Sequence, residues 1–232
     1  MEKVAIVTAA SKGMGAACTR ELHARGYKLV LMARGKEVHD LAGELNATAV
    51  EGSVTERDDL VRLVDTAIER YGRIDAVVNN TGHPPKGDLP DLSETDWRQG
   101  FDLVLLNVIN MTQLVTPAML KQGSGAYVNI STFAAFEPSP RFPVSSVLRA
   151  ALGSYAKLYA DRYAADGIRM NNVLPGFMDS YEVSPEVLKQ IPAGRLGKVS
   201  ELAKTVAFLL SDDAGYITGQ NIRVDGGITR SV

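Results

Sequence analysis

Thr8-Ala-Ala-Ser-Lys-Gly-Met-Gly15 follows a short apolar run, Val4 to Val7, and leads into a helical stretch. At this spacing Gly13 and Gly15 let backbone pass close to a pyrophosphate, and the helix terminus behind them presents oriented N–H groups to the anion. Glycine pairs are common in tight turns; position directly between a first strand and a helix is what makes this pair point to a dinucleotide. Arg34 ends the second apolar run, where the adenosine ribose would be met. A carboxylate there would bind a free ribose 2′-hydroxyl, whereas a guanidinium suits a 2′-phosphate, and Lys12 in the turn can add a second charge-assisted contact. The expected cofactor is NADP(H) in preference to NAD(H). A third signal is Asn79-Asn-Thr-Gly82 after the fourth apolar run. Its amides can fix loop backbone, and Gly82 allows close approach to a cofactor ring or ribose.

The elements that position these residues alternate. A helix from about Gly15 to Arg25 is closed by Gly26, and Lys28 to Ala33 reads as a buried strand. A helix near Val38 to Leu45 and a strand near Thr48 to Val50 come next. From Thr55 to Tyr71 the apolar residues Leu60, Leu63, Val64, Ala67 and Ile68 recur at helical spacing, Gly72 stops the run, and Ile74 to Val78 is a strand. The spacing then predicts a long helix from about Asp96 to Leu120, a strand Ala126 to Ile130 and a helix around Ser145 to Asp166. A strand Ile168 to Leu174, a helix Glu201 to Leu210 and a closing strand Asn221 to Val224 complete the pattern. Nearly continuous apolar strands between amphipathic helices predict an α/β fold, a single Rossmann-like domain over residues 1–232. Its doubly wound parallel sheet is covered by helices on both faces, with the ligand beyond the carboxyl ends of the strands. Proline and glycine near Pro84 to Gly87 and Pro138 to Pro143 mark loops at that edge.

Composition narrows the class of function. The chain has 232 residues, 45% hydrophobic and 22% charged, with a net charge of -2 and no long basic run. Nucleic acid is therefore not an expected partner, since phosphate binding draws on clustered Lys and Arg. The single cysteine, Cys18, forms no internal disulfide and is compatible with a reducing compartment. Met1-Glu2-Lys3 passes straight into the first strand without the apolar region of a signal peptide, and no stretch approaches about 18 continuous apolar residues. A cytoplasmic protein without a membrane span is expected. No spaced His/Cys/carboxylate set suggests a metal.

Taken together, these motifs resemble the short-chain dehydrogenase/reductase family over nearly the whole chain. The glycine turn is similar to the family's glycine-rich motif with Ala9 in the first glycine position, and Asn79-Asn-Thr-Gly82 to its Asn-Asn-Ala-Gly turn. Pro175-Gly-Phe-Met-Asp-Ser180 resembles the segment lining the nicotinamide side, and Thr218 to Gly227 resembles the family's last loop and strand. The resemblance implies cofactor contacts at Thr8, Ser11, Lys12, Gly13, Met14, Gly15, Arg34, Asn80, Gly82, Arg149, Pro175, Gly176 and Phe177. It also implies a short substrate-covering segment near 178–198 and a homodimer or homotetramer built on the helices around 96–120 and 145–166.

At the family's reaction centre the residues differ. Members of the family combine Asn, Ser, Tyr and Lys. Counting from Trp97, the Asn register falls on Val104; Asn107 and Asn110 lie outside it. The serine register falls on Thr132, the tyrosine register on Ser145 and the lysine register on Arg149. A carbonyl reductase must protonate a developing alkoxide, and a serine hydroxyl is a far weaker acid than a phenol whose pKa a nearby Lys lowers. Arg149 can hold the cofactor ribose or a substrate anion, yet stays protonated and cannot relay a proton. Thr132 can still orient a polar substrate group. Tyr155 lies nearly three helical turns from Ser145, about 15 Å, and with Tyr159 and Tyr163 reads as helix packing. Tyr181, after the Pro-Gly segment, is the better-placed substitute donor, or else a lid aromatic giving shape. His83 beside the cofactor turn is a weaker candidate.

The expected function is an NADP(H)-dependent oxidoreductase with an atypical site and a small-molecule substrate. An imine, an iminium or a conjugated double bond suits it better than a simple ketone, because hydride acceptance there does not require simultaneous protonation of an oxygen. Two alternatives stay open: a non-catalytic NADP(H)-binding structural or assembly subunit, and a carbonyl reductase with a relocated proton donor.

Overall fold

The computed structural model describes residues 2–231. In chain order its main elements are β1 (Val4–Thr8), α1 (Gly13–Ala24), β2 (Lys28–Ala33), α2 (Glu37–Leu45), β3 (Thr48–Glu51), α3 (Arg57–Tyr71) and β4 (Ala76–Asn79). The second half adds α4 (Glu94–Phe101), α5 (Asn107–Gln122), β5 (Gly125–Ile130), α6 (Pro143–Tyr163), β6 (Ile168–Pro175), α7 (Pro185–Leu188), α8 (Val199–Leu210) and β7 (Asn221–Val224). The seven strands form one sheet in the order β3-β2-β1-β4-β5-β6-β7, and every pairing is parallel. The order reverses between β1 and β4, so the expected crevice lies beyond Thr8 and Asn79.

Alternation along each strand divides the core in two. Ala5 and Val7 of β1 face α1, α2 and α8, where they meet Cys18, Leu22, Val38 and Leu202. Ile6 points the other way, to Leu60 and Leu63 of α3, Met111 and Val115 of α5 and Ala156 of α6. Burial on both sides is why these strands read as continuous apolar runs. Between α5 and α6, Tyr155 and Tyr159 form hydrogen bonds of 2.6 Å to Thr112 and Thr116, and Tyr159 stacks on Tyr163 at 4.6 Å. The tyrosines at steps of four are thus helix packing, and Lys157 turns away to pair with Asp161.

Three features depart from the sequence expectations. The helix expected over 96–120 runs Glu94–Gln122, opened by a capping box in which Ser93 and Asp96 satisfy each other's backbone N–H. By length and mean hydropathy, 1.6 in its most apolar window, this helix is long and apolar enough to cross a membrane, as the core helix of a globular domain also can be. Here Val104, Val108, Met111, Val115 and Met119 use that apolar character to cover the sheet. Second, Asp102–Leu106 is a π turn between α4 and α5, which no periodicity announced. Gly100 lets α4 approach α6, since a Cβ there would collide with Val144, and the Asn107 amide donates to the Leu103 carbonyl that the widened turn exposes. Third, α7 sits inside the expected covering segment, and Pro143, expected in a loop, is the buried first residue of α6.

Candidate functional site

The site begins where β1 and β4 part. The Thr8 hydroxyl donates to the Asn80 carbonyl at 2.7 Å and accepts from the Asn80 N–H at 2.9 Å, and the Asn80 amide reaches the Ala9 carbonyl at 3.2 Å. These bonds tie the glycine turn to the Asn79–Gly82 turn across the switch point. Ala9 has φ +45°, so the position that resembles a glycine is held left-handed by a residue with a Cβ. Gly15 leaves no choice of side chain. A Cβ there would collide with the Ala9 carbonyl and stand 2.8 Å from the Asn80 amide nitrogen. Helix α1 therefore starts close beneath the turn; the Ala16 N–H already bonds the Lys12 carbonyl, and the N–H groups before it are the ones a helix N-terminus leaves for an anion.

Ser11, Gly13 and Met14 are half-buried along the turn, while Lys12 and, just past β2, Arg34 are exposed. Neither cation has an ion-pair partner among the described residues. Gly82 has open space where a side chain would be. Beside it, the Thr81 hydroxyl is buried without a partner, as is that of Ser131 at the end of β5. The positively charged adenosine end, the close-packed glycine turn and two unpartnered hydroxyls at the nicotinamide end fit a phosphorylated dinucleotide.

Helix α6 and the end of β5 bring the reaction-centre candidates together. Arg149 is 7% exposed and donates to the Ile130 carbonyl, two residues before Thr132. Ser145 lies one helical turn earlier on the same face. Thr132 accepts a hydrogen bond from the Ala134 N–H at 3.4 Å, leaving its hydroxyl proton free to point elsewhere. Burial pulls the Arg149 pKa down to about 10, still well above neutrality, so the guanidinium remains a cation. Among the described residues no carboxylate pairs with it.

Tyr181, 40% exposed, lies near enough to this cation for the two to interact electrostatically. Burial raises the pKa of its phenol and the charge of Arg149 pulls it back. Its ring meets the His83 ring edge-on at 5.6 Å. Desolvation, then the charges of Lys86 and Arg149, lower the His83 pKa, which keeps that imidazole neutral at pH 7. The segment carrying Tyr181 is anchored at both ends: Asp179 N–H to the Gly197 carbonyl at 2.8 Å, Gly197 N–H to the Phe177 carbonyl at 3.0 Å, and Ala193 N–H to the Gly226 carbonyl at 3.0 Å. Pro175 and Gly176 are buried at the end of β6, and a Cβ on Gly176 would come 2.8 Å from backbone of Asp225. Phe177 turns to Phe133 with ring centroids 5.5 Å apart, forming an aromatic wall beside Thr132.

Val104, at the register where an Asn would stand, is buried inside the π turn and offers no polar atom. A chain of amides across the sheet escaped sequence reasoning. Asn79 donates to Asn129, Asn129 to Asn172 and Asn172 to Asn221, each at 2.8 Å. The signal was present as asparagines in or just past four predicted strands; what joins them is register, Asn79 opposite Asn129 and Asn172 opposite both Asn129 and Asn221.

Comparison with known proteins bears on the family and the fold. Residues 8–229 match a family model described as enoyl-(acyl carrier protein) reductase. The chain is 34% identical over 241 residues to a 3-oxoacyl-(acyl-carrier-protein) reductase of Thermotoga maritima, covering 97% of each. It is 32% identical over 246 residues to dehydrogenase/reductase SDR family member 4 of Caenorhabditis elegans, covering 97% of this chain and 95% of that one. Among solved structures, YwfH, an NADPH-dependent reductase involved in bacilysin biosynthesis, superposes over the full length of both chains with a TM-score of 0.95 at 23% identity. The L-sorbose reductase of Gluconobacter frateurii, solved with NADPH and L-sorbose, gives 0.92 at 25% identity, covering 100% of this chain and 98% of that one.

Proposed function

The chain belongs to the short-chain dehydrogenase/reductase family, and on that premise we propose that it is an NADP(H)-dependent reductase of conjugated double bonds. The cofactor assignment is supported by Arg34 and Lys12 at the ribose end and by two similar reductases described with NADPH. The observation that carries the reaction type is the buried Arg149, with Ser145 one turn before it, where relatives are expected to carry a lysine and a tyrosine. The Arg149 guanidinium stays protonated and does not relay a proton, and the Ser145 alcohol is a much weaker acid than the phenol it replaces, so the site lacks the usual donor to an alkoxide.

NADPH held by the glycine turn, Lys12 and Arg34 would supply a hydride to the β-carbon of an acceptor, leaving the electron pair of the double bond on the conjugated carbonyl oxygen. The hydroxyls of Thr132 and Ser145 donate to that developing enolate oxygen, and the positive potential of Arg149 stabilises it. The α-carbon then takes its proton from solvent in a separate step, so no side chain has to relay it. Ser131 and Thr81 offer their unpartnered hydroxyls to the carboxamide or ribose of the nicotinamide half. Tyr181 and His83 cover the pocket and exclude water from the hydride path. Of the two acceptors expected from sequence, an iminium is disfavoured, because a second cation beside an uncompensated buried guanidinium is repelled.

The test is consumption of NADPH with matched enone, imine and ketone acceptors. Turnover of enones alone is expected; ketone turnover matching that of the enones would show that a proton donor has been overlooked. Cofactor binding with no turnover on any panel would favour a non-catalytic assembly role. Val147 and Leu158 of α6, 54% and 68% exposed, with Phe101 and Leu120 on the neighbouring helices, support a homodimer or homotetramer. A concentration-independent monomer in light scattering would exclude it.

A further inference from the structure

We propose that the substrate is itself an anion, an enone bearing a carboxylate, and that Arg149 is the residue that holds that carboxylate; this rests on the reductase reading above. A guanidinium that is nine-tenths buried and faces no protein carboxylate is costly unless a ligand completes it. Its one recorded hydrogen bond, to the Ile130 carbonyl, leaves donors free on the planar fork that suits a carboxylate. Two further cations lie at the start of the same helix. Lys86 and Arg141 both lie over the Phe142 ring, at 5.7 and 5.6 Å, immediately before α6. Neither forms an ion pair among the described residues. His83, between the Asn79–Gly82 turn and Lys86 in sequence, feels both Lys86 and Arg149. The chain as a whole is slightly acidic, with a net charge of -2, so three cations without ion-pair partners on and beside α6 are a local feature.

The same arrangement explains why a lysine would serve less well. Lysine is a compact point charge, whereas the fork of Arg149 can keep the Ile130 carbonyl and still present two parallel N–H groups. A carboxylate so held fixes the substrate at one end while Thr132 and Ser145 meet the carbonyl that accepts the electron pair. Lys86 and Arg141 remain solvent-facing and act on encounter, by attraction that salt screens.

The experiment uses the NADPH-loaded protein with acetylacrylate and its methyl ester, which share the enone and differ in charge. The expected result is a KM for the acid at least about tenfold below that of the ester, the worth of one charge-assisted contact pair, with similar kcat. Arg149→Met should abolish that preference by raising KM for the acid. Lys86→Ser with Arg141→Ser, two surface changes that leave folding intact, should raise KM for the acid about two- to fivefold and remove its salt dependence, with kcat unchanged. Equal KM values for acid and ester in the unmodified protein overturn the proposal. If neither compound is reduced, calorimetric titration of acetylacrylate into the NADPH-loaded protein separates the two claims. Binding that Arg149→Met removes supports the anion site while the conjugate-reduction reading fails; no binding overturns both.

Discussion

Asn129 donates its side-chain amide to the Asn172 side-chain oxygen at 2.8 Å, in the middle of a seven-stranded sheet and with no solvent exposure at either residue. It also accepts from Asn79 on its other side, so its amide completes contacts on two neighbouring strands at once. Apolar side chains flank the strand ends on this face, and an amide left unpaired there would pay its full desolvation cost.

Asn129→Ala should accordingly destabilise the protein by roughly 2–6 kcal/mol, because it orphans one donor and one acceptor at about 1–3 kcal/mol each. Asn221→Ala, at the partly exposed end of the chain of amides, should cost about 1 kcal/mol. Urea denaturation measures both, and equal losses at the two positions would mean that the amides do not act as a buried ladder.

The glycine turn contains one position where a Cβ is strained and one where it is forbidden. Ala9→Gly removes a left-handed conformation that costs an L-residue about 1–2 kcal/mol and adds roughly 0.4–1 kcal/mol of unfolded-state entropy, so stability should stay level or rise by up to about 1 kcal/mol. Gly15→Ala drives a methyl into the Ala9 carbonyl and the Asn80 amide, and should weaken cofactor binding and lower stability by about 1–3 kcal/mol. Thermal melts with and without NADPH distinguish the two; a melting temperature for Gly15→Ala equal to that of the unmodified protein would contradict the packing described.

Arg34→Asp should weaken NADPH by about 1–3 kcal/mol through loss of a phosphate contact while leaving NADH unchanged or improved, since a carboxylate suits a free 2′-hydroxyl. Paired titrations of the two cofactors measure it. Equal dissociation constants for NADPH and NADH in the unmodified protein would remove the basis for NADP(H).

The segment that carries Tyr181 is held to α8 by Glu201, whose carboxylate accepts two hydrogen bonds from Arg195 at 2.8 Å and one from the Lys198 N–H. These partners, the Arg195 hydrogen bonds foremost, lower the Glu201 pKa from 4.5 to about 2. With the folded value below the unfolded one, the contribution to stability is present above pH 4.5 and is lost as pH falls through about 2. An NMR titration of the Glu201 carboxyl should place its midpoint near 2, and Arg195→Met should return it toward 4.5. An unchanged midpoint in that variant would show that Arg195 is not the cause.

The order of strands and helices, the parallel sheet and the phosphate-binding turn were legible in the sequence, because each rests on short-range facts. Apolar runs interrupted at helical period, glycines at fixed offsets and Arg34 just past a strand are readable within a few residues of one another. Boundaries moved by a residue or two, as with α1 starting at Gly13 instead of Gly15. What the sequence could not show is set by residues far apart in the chain. The π turn at Asp102–Leu106 lies beside the close approach that Gly100 allows between α4 and α6. The asparagine chain needs strand register, and a slip of one residue would turn each amide to the opposite face. In the sequence Arg149 read as a holder of the cofactor ribose or of a substrate anion; only packing of α6 against the end of β5 buries it without a carboxylate, and only the return of the 178–198 segment brings Tyr181 against His83 beside it. Charge type is written in the sequence, but whether a charge is compensated depends on which distant groups the fold brings within reach, and that alone turned an unusual residue at one position into a candidate site for an anion.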